Sequence, residues 1–362
     1  MLQIYIIVVM GIPRKISIGS NIMDSPWGGG NQFAINLKNY LILEGWKVID
    51  NLKDNDIDII IMTEPRKNLL SCKYNQKDIA RYLVKKPDTI VVHRINECDE
   101  RKETRNVNNY LKRANKVADF TVFVSNFVKT IFIDNGIINT DKYRVIRSGA
   151  NKEIFNIDNR AKWNRKENIK LVTHHWSSNY FKGFDIYKFV NNLIGEDLDG
   201  IKLEFMYIGN VPKDLLLDKT NIVSPLKGRD LVKKIKENHI YLTASINEPA
   251  GNHFLEGASC GLPVLFRNSG GTPEYLDGYG VPFNGREDFL DKFKEFINSY
   301  DYFFNKIIDF PYNSKKTCIE YENLFKQLLE LKKSFNLNQR RKNFLKIYLK
   351  EKFIYKPYKG DN

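Results

Sequence analysis

The sequence predicts an α/β fold of two doubly wound, Rossmann-like domains in tandem. Short apolar runs typical of buried parallel strands alternate with segments of helical periodicity along most of the chain. At residues 152–167 this alternation lapses into a polar, charged segment, and a second series of the same kind follows. The length of 362 residues suits two domains, each large enough to bury its own core.

The first domain is predicted over residues 1–160. It opens on a continuous apolar run at 4–9, which has the character of a strand covered on both faces. A polar loop leads to Gly28, Gly29 and Gly30, after which apolar side chains recur at helical spacing until Gly45 closes an amphipathic helix. Further strands are predicted at 47–49, 57–62, 89–92 and 120–124, with helices at 76–84 and 104–118.

The second domain is predicted over residues 161–320 and repeats the alternation. Its strand-like and helix-like segments are 169–173, 187–193, 203–208, 231–236, 240–244, 254–259 and 263–266. The last residues, 321–362, are expected to form a basic helical tail.

Composition excludes several classes of protein. The apolar fraction of 42% and the aromatic fraction of 13% are those of a folded globular chain, not of a disordered one. No apolar run approaches the roughly 18 residues of a membrane-spanning helix. The apolar N-terminal run lacks the basic flank and the cleavage site of a signal peptide. We therefore expect a soluble protein that keeps its N-terminus.

Cysteine and histidine spacing indicates neither disulfides nor a metal. Four scattered cysteines form no C-x-x-C pair, so free thiols in a reducing compartment, the cytoplasm, are expected. The five histidines show no metal-ligand spacing, and no metal site is predicted.

The positive charge is concentrated near the C-terminus. The formal net charge is +14, and residues 332–362 carry ten basic and two acidic side chains, or +8 of that total. Three explanations stay open for this segment. It packs back on the first domain, it contacts an anionic membrane as a peripheral protein, or, least favoured because no nucleic-acid motif is visible, it binds nucleic acid.

The most informative stretch is residues 245–284. A loop after a strand carries Glu248, and the helix that follows places Glu256 about two turns along. Gly270 and Gly271 precede another helix start, where backbone N–H groups are expected to approach a diphosphate closely. Two carboxylates near such a site can accept hydrogen bonds from sugar or ribose hydroxyls.

These motifs resemble the C-terminal half of family 4 (group 1) glycosyltransferases, which have the two-domain GT-B fold. The family pattern is E-P-x-G, a second Glu eight positions later, then C-G-x-P-V, G-G-x-P-E and D-G-x-G. The matching elements here are Glu248-Pro249-Ala250-Gly251, Glu256, Cys260-Gly261-Leu262-Pro263-Val264, Gly270-Gly271-Thr272-Pro273-Glu274 and Asp277-Gly278-Tyr279-Gly280. Lys182-Gly183-Phe184-Asp185 is similar to the family's K-G-x-D. The resemblance covers roughly residues 4–284.

The resemblance implies a GT-B architecture, in which the two domains face a cleft and the tail packs back on the first. It also implies a metal-independent, retaining transfer of a sugar from a nucleotide-diphosphate sugar, which is a co-substrate and not a cofactor. Glu248 would lie against the transferred sugar, and His93, at the end of the strand 90–92, would assist as a second catalytic residue. The implied donor-binding residues are Lys182, Glu256, Gly251, Asn252, Gly270 and Gly271, and the loop Gly28, Gly29 and Gly30 would meet phosphate and acceptor.

Two departures stand out. The family usually has Gly-Arg shortly before the K-G lysine, as a second cation for the diphosphate, whereas residues 174–177 here read His-His-Trp-Ser. His175, Lys227 and Arg229 are candidates for the missing charge. Arg147 stands where an asparagine is common.

Two alternatives remain beside the glycosyltransferase. One is a sugar-nucleotide epimerase of the same fold, and the other is a non-catalytic basic binding protein with a degenerate donor site. The expected acceptor is a hydroxyl of a carbohydrate, a lipid-linked group or another molecule.

Overall fold

A computed structural model describes residues 14–23 and 28–358 and places two parallel β-sheets in succession along the chain. The strands of the first sheet are β1 (Lys15–Ile18), β2 (Lys47–Ile49), β3 (Ile59–Met62), β4 (Ile90–Ile95), β5 (Phe120–Phe123) and β6 (Tyr143–Val145). Those of the second are β7 (Ile169–His175), β8 (Leu203–Gly209), β9 (Asn221–Val223), β10 (Ile240–Thr243), β11 (Val264–Arg267) and β12 (Gly280–Phe283).

Helices cover these sheets. They are α1 (Gly29–Leu43), α2 (Gln76–Lys85), α3 (Val107–Asn115), α4 (Asn126–Lys129), α5 (Phe184–Leu193), α6 (Gly228–Lys236), α7 (Asn252–Ser259), α8 (Thr272–Leu276), α9 (Phe289–Asn298), α10 (Tyr300–Lys306), α11 (Ser314–Leu331) and α12 (Leu337–Phe353). Short 3-10 helices lie at Asp99–Arg101 and Tyr180–Lys182. The two α/β domains predicted from sequence are thereby confirmed.

The strand order decides where a ligand can bind. The first sheet runs β2-β1-β3-β4-β5-β6, and the second runs β12-β11-β10-β7-β8-β9. The order in which the chain adds strands therefore reverses between β1 and β3 in the first domain and between β7 and β10 in the second. In doubly wound sheets, the loops that follow two such strands diverge to opposite faces of the sheet and leave a crevice at the carboxyl ends of the strands.

The central strand of the first sheet differs from the expectation. The apolar run predicted as a strand, 4–9, lies outside the described residues, whereas β1 falls in a segment assigned to a polar loop. The charge of Lys15 made this segment resemble an exposed loop, although the ammonium is buried and pairs with Asp54 and Asp56. A buried charge needs such partners, and the sequence pattern does not show that Lys15 has them.

The two C-terminal helices both pack on the first domain. Tyr321, Leu324 and Phe325 of α11 share a core with α1 and β1. Phe344 of α12 packs on the opposite face of the same sheet, in a core with Ile60 and with residues of α2. The chain thus returns to the first domain at Ser314, before the expected tail boundary at 320.

Candidate functional site

The loops after β7 and β10 bring Lys182 and Glu248 together. Lys182 ends a 3-10 helix, and Gly183 follows it at φ 96°, where a Cβ would lie 2.3 Å from the carbonyl oxygen of Ala244. Only glycine fits that position, so the backbone requires Gly183 directly after Lys182. The ammonium of Lys182 donates a hydrogen bond of 2.5 Å to Oε2 of Glu248.

This carboxylate is buried and ionised. Glu248 is 4% exposed. Burial raises its pKa, but Arg101 and Lys182 outweigh that effect and lower the pKa to about 2. Burial also lowers the pKa of Lys182, although Glu248 opposes the shift. The site therefore holds a fixed negative charge beside a poorly hydrated ammonium, which suits it to an anionic ligand that carries hydroxyls.

Arg101 belongs to the first domain and reaches this pair across the cleft. Its Nε lies 3.4 Å from Oε1 of Glu248, and its Nη1 donates to Oε2 of Glu97 at 2.8 Å. Beside it, Nδ2 of Asn247 donates to the carbonyl oxygen of Glu100 at 3.1 Å. Sequence analysis missed Arg101, since no motif marks it, and only the approach of the domains brings it to the site.

Glu256 lies in a separate hydrogen-bond network. It is one turn into α7, not two, because the helix begins at Asn252. Nε2 of His174 donates to Oε2 of Glu256 at 2.8 Å, and the hydroxyl of Tyr241 donates to Nδ1 of the same imidazole at 2.9 Å. His174 thereby orients a carboxylate that remains partly accessible.

The glycine loop of the first domain lies against the start of α7. Gly28 is the N-cap of α1, and a Cβ on Gly29 would lie 2.8 Å from Oδ1 of Asn252. Gly30 has more room, since its nearest neighbour, Asn96, would be 3.8 Å from a Cβ. The N-termini of two helices meet at this point, and both present partial positive charge to the cleft.

The remaining glycines brace the Glu248 loop. A Cβ on Gly270 would lie 2.6 Å from the backbone nitrogen of Glu248, and one on Gly251 would lie 2.5 Å from the ring of His253. The N–H of Gly271 donates to the carbonyl oxygen of Glu248 at 2.8 Å. The N–H of Gly271 is thus already hydrogen-bonded within the loop, and the assignment of Gly270 and Gly271 to the diphosphate stays a prediction.

His93 does not lie at a strand end. Strand β4 continues to Ile95, and the imidazole is fully buried, with Nδ2 of Asn115 donating to its Nδ1 at 3.0 Å. Burial lowers its pKa to about 3, so the ring is neutral at physiological pH. In this conformation His93 has no surface with which to touch a substrate.

The missing second-domain cation is not supplied by His175. That residue is 4% exposed among aromatic rings, and burial lowers its pKa well below its usual value. Lys227 and Arg229 lie exposed at the start of α6. The second basic side chain in contact with Glu248, besides Lys182, comes instead from the first domain and is Arg101.

A second bridge between the domains explains Arg147. The carboxylate of Glu274 accepts hydrogen bonds from the backbone N–H groups of Asn126 and Phe127, at 2.8 and 2.6 Å, and Arg147 lies 3.3 Å from it. A carboxylate of the second domain thus caps the first turn of α4, where it is stabilising. Arg147 pairs with that carboxylate, which gives the departure at this position a structural role.

Comparison with known proteins supports this architecture. No protein-family model matches the chain. Over 111 residues, 27% of this chain, it is 29% identical to the phosphatidylinositol N-acetylglucosaminyltransferase gpi3 subunit of Schizosaccharomyces pombe, and the match spans 24% of that relative.

Solved structures match over most of the chain. A glycosyltransferase from Rickettsia africae superimposes with a TM-score of 0.61 at 16% identity, covering 88% of this chain and 99% of the other. Anabaena HepE in complex with UDP superimposes with a TM-score of 0.63 at 11% identity, covering 87% and 100%. At such identities the likeness concerns the fold. The chain therefore has the GT-B glycosyltransferase fold that its motifs predicted.

Proposed function

We propose that this protein is a glycosyltransferase that moves a sugar from a nucleotide-diphosphate sugar to a hydroxyl of a carbohydrate, a lipid-linked group or another acceptor. The observation that carries the proposal is the buried Lys182–Glu248 pair in the crevice of the second sheet, met across the cleft by the first domain. The crystallisation of the structural neighbour HepE with UDP supports a nucleotide ligand.

In this proposal the donor binds mainly to the second domain. Glu256, oriented by His174, accepts hydrogen bonds from the ribose hydroxyls. Lys182 and the N-terminus of α7, at Gly251 and Asn252, stabilise the negative charge that develops on the departing diphosphate. No metal ion is assigned to this task.

Glu248 then contacts the transferred sugar, and the acceptor enters from the first domain near the loop 28–30. The close approach of the domains excludes water from the reacting bond, which favours transfer over hydrolysis. We propose retention of the anomeric configuration and assign no covalent nucleophile.

Thermal unfolding with uridine, guanosine and adenosine diphosphates tests the donor site. The matching nucleotide is expected to raise Tm, because a ligand that binds only the folded state stabilises it. Glu256→Gln is expected to weaken the binding of that nucleotide by about 10-fold, which is the cost of losing one charged hydrogen bond. Glu295→Gln, at an exposed position of α9, is the matched control and is expected to change nothing.

The 2′-deoxynucleotide separates a ribose contact from a general loss of stability. Loss of the 2′-hydroxyl should weaken binding to the wild type and have little further effect on Glu256→Gln. Equal effects in both proteins would contradict the assigned role of Glu256. No response to any nucleotide would favour the degenerate binding protein, and interconversion of the sugar without an acceptor would favour the epimerase.

We also propose that the protein contacts anionic membranes as a peripheral protein, through the outward face of α12. No helix within 14–23 and 28–358 is both long and apolar enough to span a membrane. Phe344 and Glu351 turn towards the first domain. The opposite face combines exposed apolar and basic side chains, namely Lys342, Leu345, Lys346, Leu349, Lys350 and Phe353, of which Phe353 is 71% exposed.

An apolar strip bordered by lysines is complementary to an anionic bilayer surface, in which apolar side chains insert and lysines meet the headgroups. Co-sedimentation with phosphatidylcholine vesicles, with and without phosphatidylglycerol, tests this. Each lysine near an anionic membrane contributes about 1 kcal/mol to the free energy of binding. Replacing Lys342, Lys346 and Lys350 by Glu, which reverses their charge, should therefore reduce vesicle binding by more than about 10-fold. Reversing three exposed lysines of the second domain, Lys202, Lys213 and Lys233, is the matched control. Equal binding by both triple variants would contradict the proposal.

A further inference from the structure

The carboxylate of Glu248 lies between two basic side chains from different domains. Lys182 of the second domain and Arg101 of the first both contact Glu248, at 2.5 and 3.4 Å. Domain docking alone brings Arg101 there, because the chain positions that meet at this point are some 147 residues apart.

Arg101 is anchored, yet part of its hydrogen-bonding capacity is unused. Its Nη1 is held by Glu97, which in turn lies 3.9 Å from Nη2 of Arg66. Its Nε is buried and has no hydrogen-bond partner of good geometry among the described residues, although Glu248 is near it. A small rotation of the carboxylate of Glu248 would turn this ion contact into a charge-assisted hydrogen bond.

The proposed function gives Lys182 two binding partners that compete for its ammonium. In the ligand-free structure Lys182 is the nearer cation of Glu248, whereas with donor bound it interacts with the diphosphate. A buried carboxylate that loses its cation tends to take up a proton, and a neutral Glu248 would be a weaker acceptor for sugar hydroxyls. A second cation is needed at that moment.

We propose that Arg101 is a positioning residue that keeps Glu248 ionised and in place when Lys182 turns to the donor diphosphate. In the donor complex, Glu248 then stays ionised only while the first domain is docked. Closure of the cleft therefore controls whether Glu248 can act in sugar transfer. This inference rests on the proposed function and adds to it a role for the first domain.

Apart from Lys182, Arg101 is the cation within ion-pair distance of Glu248 among the described residues. Two further ionisable side chains act on this carboxylate from a greater distance. They are His175, which burial keeps neutral, and Lys102, whose pKa burial lowers. Lys102 follows Arg101 in the chain, but no ion pair joins its ammonium to Glu248 among the described residues.

Arg101→Gln and Arg101→Lys test the role in the full-length protein. With UDP and UDP-glucose as probes, or the nucleotide chosen by the screen above, Arg101→Gln should change nucleotide affinity by less than about threefold but reduce donor turnover by at least about 30-fold. Arg101→Lys should restore part of the turnover. Arg81→Gln, at an exposed position of α2, is the matched control.

The pH profile provides a readout that a purely structural role would not move. Arg101 lowers the pKa of Glu248, so wild-type turnover should show no loss from protonation of this carboxyl at mildly acidic pH. In Arg101→Gln the acid limb should move to higher pH, because burial then acts on a carboxylate with one cation fewer. An unmoved acid limb, an unchanged turnover, or an equal loss of UDP affinity and turnover would each overturn the proposal, the last by making Arg101 a phosphate ligand.

A ligand-free measurement distinguishes failure of this inference from failure of the proposed function. If Arg101 and Glu248 are coupled, the Tm loss of Arg101→Gln combined with Glu248→Gln should be smaller than the sum of the two single losses. Additive losses would overturn the coupling even if donor binding is confirmed. Coupling without any nucleotide binding would leave the pair in place and contradict the donor site instead.

Discussion

Glu248→Gln is expected to reduce turnover of the nucleotide sugar by at least about 100-fold, the scale of removing one electrostatic contact to a transition state. The variant keeps the size of the side chain and removes its charge. Nucleotide affinity should stay the same or rise, because Lys182 is released from its partner and is free to meet the diphosphate. Steady-state turnover and calorimetric titration with UDP measure the two effects separately.

The matched control is Glu237→Gln, an exposed change at the end of α6. A parallel fall of affinity and turnover in Glu248→Gln would assign Glu248 to ground-state binding of the donor and contradict its role against the reacting sugar. Turnover close to that of the wild type would contradict the catalytic assignment altogether.

The same variant should alter the pH dependence of stability. The pKa of Glu248 is lower in the folded chain, about 2, than its ordinary value of 4.5. Its ionised form therefore stabilises the fold above pH 4.5, and this contribution is lost as the pH falls towards 2. Urea unfolding at pH 6 and pH 3 should show a smaller loss of stability on acidification in Glu248→Gln than in the wild type.

Lys182→Met is expected to weaken the binding of UDP by about 10- to 100-fold, since a charge-assisted hydrogen bond contributes about 1.5–3 kcal/mol to the binding free energy. Lys182 is 8% exposed, so little water screens it from a bound diphosphate. The variant also leaves Glu248 with Arg101 as its remaining cation, and a lower Tm is expected for that reason. Calorimetric titration measures the affinity.

Lys188→Met is the control within the same domain. Its ammonium lies on the outer side of α5 and donates to the carbonyl oxygen of Leu216. Affinity that falls equally in both variants would show that general charge, and not the position of Lys182, governs binding. A Lys182→Met protein that binds UDP as the wild type does would contradict the donor site proposed here.

Much of the second-domain site was predictable, because its residues follow one another closely in the chain. The spacing of Glu248, Gly251 and Glu256 reflects a strand, a loop and a helix start, and Gly183 has a φ of 96°, which favours glycine. Such requirements are local, and a sequence records them directly.

Other features depended on contacts that no local pattern carries. The burial of His93 follows from the length of β4, and the boundaries of strands are poorly marked in sequence. Strand β1 was hidden because the partners of Lys15 lie about 40 residues further along the chain.

The sequence by itself determined the class of the fold and the order of the second-domain motifs. Only the tertiary structure decided which groups face one another across the cleft, namely Arg101 with Glu248, Glu274 with the start of α4, and Gly29 with Asn252. The physical reason is that these contacts join two independently patterned domains. Each domain satisfies its own periodicity, and the docking of their surfaces selects the pairs.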